Sequence, residues 1–143
     1  MIFVFMRYDY FIACRWRNRD NVLDLAGKMR AKGKSVYTCF DSEHSLADKE
    51  KDPEEAMQEF EATQNWESDE NIRKIFDTDM NALRNSQNLI LLLPAGKSAH
   101  IEAGAAYGMG KHCILIGEQK EAESNYLIFN ESYKNINDFL KTI

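Results

Sequence analysis

Two rhythms of apolar side chains run through this chain. Ile2 to Met6 is an unbroken run of β-branched, aromatic and other apolar residues, which predicts a first strand covered on both faces. From Arg19 to Ala31 the spacing lengthens: Val22, Leu23, Leu25, Ala26 and Met29 recur on one side of a helix, and Gly33 marks its stop. Ser35 to Phe40 returns to a β-rich run. Strand, helix and strand joined this closely spell a right-handed βαβ unit.

The character then changes. Asp41 to Asp69 is dominated by acidic and amide residues, and only Pro53 to Phe60 has a helical look, with Pro53 in its first turn. Trp66, inside this acidic excursion, reads as an anchor holding the loop to the core. Amphipathic spacing resumes from Glu70 to Arg84 through Ile72, Ile75, Phe76, Met80 and Leu83. It feeds Asn88 to Leu93, the most apolar run of the chain and the expected central strand. Ser98 to Gly110 is Ala-rich and helical, with Ala105, Ala106 and Met109 expected on the sheet. His112 to Gly117 reads as a further strand, Tyr126 to Phe129 as a short fifth one, and Ile136 to Ile143 as a closing helix. No internal repeat appears.

Five strands alternating with helices predict an α/β fold: a three-layer sandwich around a five-stranded parallel sheet in the flavodoxin-like order 2-1-3-4-5. Ligands of such sheets lie beyond the carboxyl ends of the strands, where the order reverses, between strands one and three. That rule selects Arg7, Tyr8 and Asp9 after strand one, Asp41 after strand two, and Pro94 to Glu102 after strand three.

Length and composition narrow the picture. At 143 residues the chain has room for one core, so residues 1–143 are expected to form a single domain, with the acidic excursion at about 41–69 set upon it. Eighteen basic against 23 acidic residues give a net charge of −5, which is the wrong sign for a protein that grips a duplex nucleic acid backbone. The three cysteines have neither C-x-x-C pairing nor histidines at zinc-ligand spacing, so no metal is indicated and a reducing cytoplasm fits. The apolar start reads as a strand rather than a signal peptide, and no run approaches the roughly 18 apolar residues of a membrane span. A cytoplasmic protein without a membrane partner is the expectation.

Chemistry concentrates in Leu93 to Lys111, where Gly96, Lys97, Ser98, His100 and Glu102 crowd the turn after strand three and the first turns of its helix. Gly96-Lys97-Ser98 copies the end of a phosphate-binding Walker loop, but the position that requires its first glycine is Leu91, inside the strand, so that reading fails. An acid near a helix N-terminus is ordinarily stabilised by the helix dipole, which accounts for Glu102 on its own. Asp79, on the preceding helix, brings a second carboxylate toward the same crevice; alone it would read as part of a solvated face. Ser98 and Gly96 offer a hydroxyl and backbone amides to an anion such as a phosphate, although Ser98 also reads as a plain N-cap. His100 is a possible substrate contact, or a structural histidine.

The run from Leu92 to Lys111, preceded by Asp79 to Asn88 and followed by the Ile114 strand, resembles the nucleoside 2-deoxyribosyltransferase family, which includes nucleoside 5′-monophosphate N-glycosidases. The likeness to its E-x-G-x-A-x-x-x-G-K helix lies at Glu102, Gly104, Ala106, Gly110 and Lys111. The resemblance implies that Glu102 is the nucleophile at the anomeric carbon and that Asp79 assists or positions the nucleobase. It further implies that Asn125 corresponds to an asparagine lent to a neighbouring subunit's site, so that the protein is a homo-oligomer, a dimer or higher. The implied partner is a small-molecule nucleoside or nucleotide, with no cofactor. After strand one the family has a small-residue or Ser/Arg/Gly-rich loop, where this chain has Arg7-Tyr-Asp-Tyr-Phe-Ile-Ala13. That departure motivates the alternative, a catalytically inactive nucleotide-binding or sensing domain on the same scaffold.

Overall fold

The computed structural model describes residues 6–41 and 51–143. Its five strands are β1 (Tyr8–Ala13), β2 (Val36–Tyr37), β3 (Ser86–Leu92), β4 (His112–Ile116) and β5 (Glu131–Tyr133). All pair in parallel in the order β2-β1-β3-β4-β5. The helices are α1 (Arg19–Ala31), α2 (Pro53–Glu61), α3 (Glu70–Arg84), α4 (Lys97–Gly108) and α5 (Ile136–Leu140).

Side chains along the strands alternate between two cores, as the period of two requires. Ile12, Ile90, Leu92, Ile114 and Ile116 face α1 and α5, packing on Leu25, Met29 and Phe139. Phe11, Ala13, Leu89, Leu91 and Leu115 face α3 and α4, packing on Leu83 and Ala103. Helices thus cover both faces of one sheet, the three-layer arrangement expected from the sequence. Among the described residues, no helix is long and apolar enough to cross a membrane.

The structure departs from the sequence pattern at several elements. The strand expected at Ile2 to Met6 falls almost wholly outside the described residues, and Met6 itself is not in a strand. The sheet's β1 starts at Tyr8, because Phe11, Ile12 and Ala13 fill the two cores while Tyr8, Asp9 and Tyr10 are only partly covered. Tyr126 to Phe129 is not a strand: Ser124–Ile128 winds into a 3-10 helix, with the Glu123 side chain accepting from the Asn125 N–H and Leu127 88% exposed. The edge strand β5 lies further on, at the polar triplet Glu131-Ser-Tyr133. The α4 stripe against the sheet is Ala99, Ala103 and Ala106, whereas Met109 is exposed. Three alanines spaced four and three apart let the helix lie close over β1, β3 and β4.

The Gly-Lys pair after α4 has a structural role. Gly110 takes a positive φ of 79°, and the Lys111 Nζ then donates to the carbonyls of Arg84 and Ser86, at 3.0 and 2.6 Å. A cation there satisfies a carbonyl at the end of α3 and favours the negative end of its dipole.

Candidate active site

The strand order reverses between β1 and β3, and a cavity of about 410 Å³ opens beyond their carboxyl ends. Three chain segments build its floor: Cys14, Arg15 and Trp16 leaving β1, Cys39 after β2, and Gly96, Lys97 and Ser98 at the start of α4. Asp79 and Ile75 enter from α3, and Glu102 from α4, one turn below Ser98 on the same helix face. Met57 and Phe60 of α2 form an apolar roof. That helix is fastened over the cavity by Arg17, whose guanidinium pairs with both Glu54 and Glu61. Trp16 is held by its ring contact with Phe40, centroids 4.2 Å apart.

The two carboxylates sit in unlike surroundings. Burial, with the charge of Asp79 adding to it, pushes the Glu102 carboxyl up to about 8. Asp79 is also raised by burial, but the Tyr37 hydroxyl donates to its Oδ1 at 2.7 Å and pulls the other way. At neutral pH the pair therefore holds about one proton between its two members. One protonated and one ionised carboxyl on a single cavity are the equipment for combined nucleophilic and acid chemistry.

Of the residues singled out in the sequence, Glu102, Asp79, Gly96, Lys97 and Ser98 come together on this cavity. The others do not. Arg7 and Tyr8 line a hollow at the opposite, amino-terminal end of the sheet, because β1 begins at Tyr8 rather than ending before it. Asp9 is engaged there too, accepting from the Ser35 N–H at 2.8 Å. The Asp41 carboxylate closes a 3-10 turn, accepting from the Thr38 N–H and from Arg30. His100 and Asn125 lie across α4 on an open groove of about 1050 Å³. There the His100 ring bridges the Gly96 carbonyl and the Tyr126 hydroxyl, both at 2.8 Å. The Ser98 hydroxyl is not the N-cap, since Gly96 occupies that position. Trp66 is 57% exposed and anchors nothing in the core.

The residues missed in sequence follow mainly from the displaced first strand. Applied to a strand ending at Ala13, the crevice rule selects Cys14, Arg15 and Trp16 directly. Tyr37, reaching Asp79 from β2, and the roof residues Met57 and Phe60 carry no sequence signal of their own.

Neither a family model nor a curated protein matches the chain in sequence. Solved structures do match in shape. A 2-deoxyribosyltransferase from the psychrotolerant bacterium Bacillus psychrosaccharolyticus superposes with a TM-score of 0.62 at 14% identity, over 92% of this chain and 89% of that one. The CMP N-glycosidase BcmB of Clostridium botulinum superposes with a TM-score of 0.57 at 19% identity, over 93% and 94% of the two chains. The chain shares their fold. These neighbours are of the two kinds named by the sequence resemblance, and each matches over nearly its whole length.

Proposed function

We propose that this protein belongs to the nucleoside 2-deoxyribosyltransferase family and cleaves or transfers at the N-glycosidic bond of a (deoxy)nucleoside or nucleoside 5′-monophosphate. The observation that carries this reading is the placement of Glu102 and Asp79 on one apolar-roofed cavity at the reversal point of a sheet shared with enzymes of that chemistry. Glu102, in its ionised form, attacks C1′ of the sugar as the bond to the base breaks through an oxocarbenium-like state. The pair's one proton, held by Glu102 in the free protein, passes to Asp79 when substrate fills the cavity, which leaves Glu102 ionised for the attack and lets Asp79 assist the base as it leaves. Release of the sugar from Glu102 to another base gives transfer, and release to water gives hydrolysis. Ser98 and the amides at the start of α4 face the sugar, and Arg15 and Lys97 supply positive charge to a 5′-phosphate. Trp16 and the roof residues offer the base a flat apolar surface.

A homo-oligomer suits the exposed apolar side chains Ile101, Leu127 and Tyr107, the last of which lines the groove that holds Asn125. The test is incubation with a panel of deoxynucleosides and their 5′-monophosphates, with and without a free acceptor base, followed by chromatography of released or exchanged base. Base release that is lost in Glu102→Ala and diminished in Asp79→Ala is expected. Release undiminished in Glu102→Ala removes the nucleophile, and tight binding without turnover supports the sensing alternative.

A further inference from the structure

Cys14 and Cys39 are far apart in sequence, yet their sulfurs stand 3.7 Å apart in the cavity wall, and both thiols are free. Cys14 follows the last residue of β1. Cys39 opens the 3-10 turn after β2, outside the paired part of the sheet, where the backbone is not tied into the strand ladder. A disulfide needs the sulfurs at about 2.05 Å, so they must close by less than 2 Å. Both side chains border a cavity wide enough for a small oxidant, and Cys39 is only partly covered.

Cys113 shows the contrast. It is fully buried on the opposite face of the sheet, with its thiol donating to the Lys111 carbonyl, and no sulfur approaches it among the described residues.

We propose that Cys14 and Cys39 are a modification site, a dithiol that closes reversibly into a disulfide when a peroxide enters the cavity. The sulfur that first gives up its proton attacks one peroxide oxygen; an S–O bond forms, the O–O bond breaks, and hydroxide leaves with that proton as water. The second sulfur then displaces hydroxide from the sulfenic acid, the S–S bond forms, and the second thiol proton leaves with it as another water. Two thiols lose two electrons and one peroxide becomes two waters. The hydrogen bond with Cys14, with desolvation adding to it, pushes the Cys39 thiol well above its ordinary range, so closure is slow, at the long end of the seconds-to-hours scale of disulfide formation. Cys14 and Cys39 line the same cavity as Asp79 and Glu102, and the two carboxyl groups are near enough for their charge, when ionised, to act on Cys39. The cross-link therefore reshapes the wall beside both carboxylates, and glycosidic turnover falls while it is in place.

The site rests on the two sulfurs themselves, and its effect on turnover rests on the glycosidic reading. The test treats the folded, reduced protein with hydrogen peroxide and follows it by intact mass, thiol titration and peptide mapping. Expected are the loss of two hydrogens, a fall from three titratable thiols to one, a peptide linking Cys14 to Cys39, and full reversal by dithiothreitol. The link should persist in Cys113→Ser and disappear in Cys39→Ser. Three thiols still titratable after oxidation, over-oxidation to sulfinic acid without a link, or a link to Cys113 overturns the proposal. Base release expected to drop at least tenfold on cross-linking is measured on the same samples. Unchanged release overturns the regulatory consequence, and no release from the reduced protein overturns the glycosidic reading while the mass result still decides the dithiol.

Discussion

Replacing Glu102 by Gln isolates the cost of keeping a carboxyl in this cavity. In the unfolded chain Glu102 titrates near 4.5, and in the folded protein burial and Asp79 raise it to about 8. Between those values the unfolded state has released the proton while the folded state still holds it, so stability falls as pH rises. Each pH unit in that window costs about 1.4 kcal/mol. From pH 4.5 to pH 7 the wild-type protein therefore loses about 2–3 kcal/mol through this one group. Gln has nearly the same shape and no proton to lose, so Glu102→Gln escapes the loss. Any penalty for its buried amide is the same at every pH and cancels in the comparison. The variant should gain on wild type by about 2–3 kcal/mol between pH 4.5 and pH 7, or about 5–10 °C in melting temperature for a chain of this size. Urea denaturation of both proteins at half-unit steps of pH measures it. A difference that stays within about 0.5 kcal/mol across that range, as surface substitutions do, would mean that the Glu102 carboxylate is solvated and that the cavity argument is wrong.

Three further outcomes follow from the same geometry. Because the pair's one proton is held at Glu102 up to about pH 8 and must reach the base through Asp79, kcat/KM for base release should hold level near neutrality and fall about tenfold per unit above that point; a rate that climbs through pH 8 excludes a proton delivered by the pair. Gly117→Ala should destabilise the protein by about 2 kcal/mol or more in chemical denaturation, since Gly117 has φ +119° and an added Cβ would stand 2.7 Å from the Leu93 Cβ. Lys111→Met, which abandons the Arg84 and Ser86 carbonyls, should cost about 1–3 kcal/mol by the same measurement while leaving the substrate KM unchanged.

The helices were the most legible part of this fold. The predicted helical segments at Arg19 to Ala31 and Glu70 to Arg84 coincide with α1 and α3, because each has a long period with a marked end. The strands were less so. The apolar density of Ile2 to Met6 outweighed the Tyr-rich segment that enters the sheet, and this shift carried Arg7, Tyr8 and Asp9 to the wrong end of it. The error at the fifth strand has the opposite origin: Tyr126 to Phe129 looks apolar enough for a core, but it forms an exposed turn capped by Glu123, and the real edge strand is polar. Glu102 and Asp79 reach one crevice in the sequence reading through the helices that carry them together with the family resemblance, although the sheet-facing stripe of α4 is read one step off. The remainder of the cavity wall depends on contacts between distant segments. Tyr37 reaches Asp79 across 42 positions, and Cys14 reaches Cys39 across 25, relations that no local pattern encodes.

In the proposed reaction an oxygen of Glu102 bonds to C1′ of the substrate sugar. Rapid acid quenching of the protein mixed with a deoxynucleoside or its 5′-monophosphate, followed by peptide mass spectrometry, tests that bond directly. A peptide containing Glu102 that carries the mass of the sugar, absent in Glu102→Gln, is the expected result. Base released in the same mixture with the adduct on another residue, or with an equal yield of base from Glu102→Gln, would contradict it.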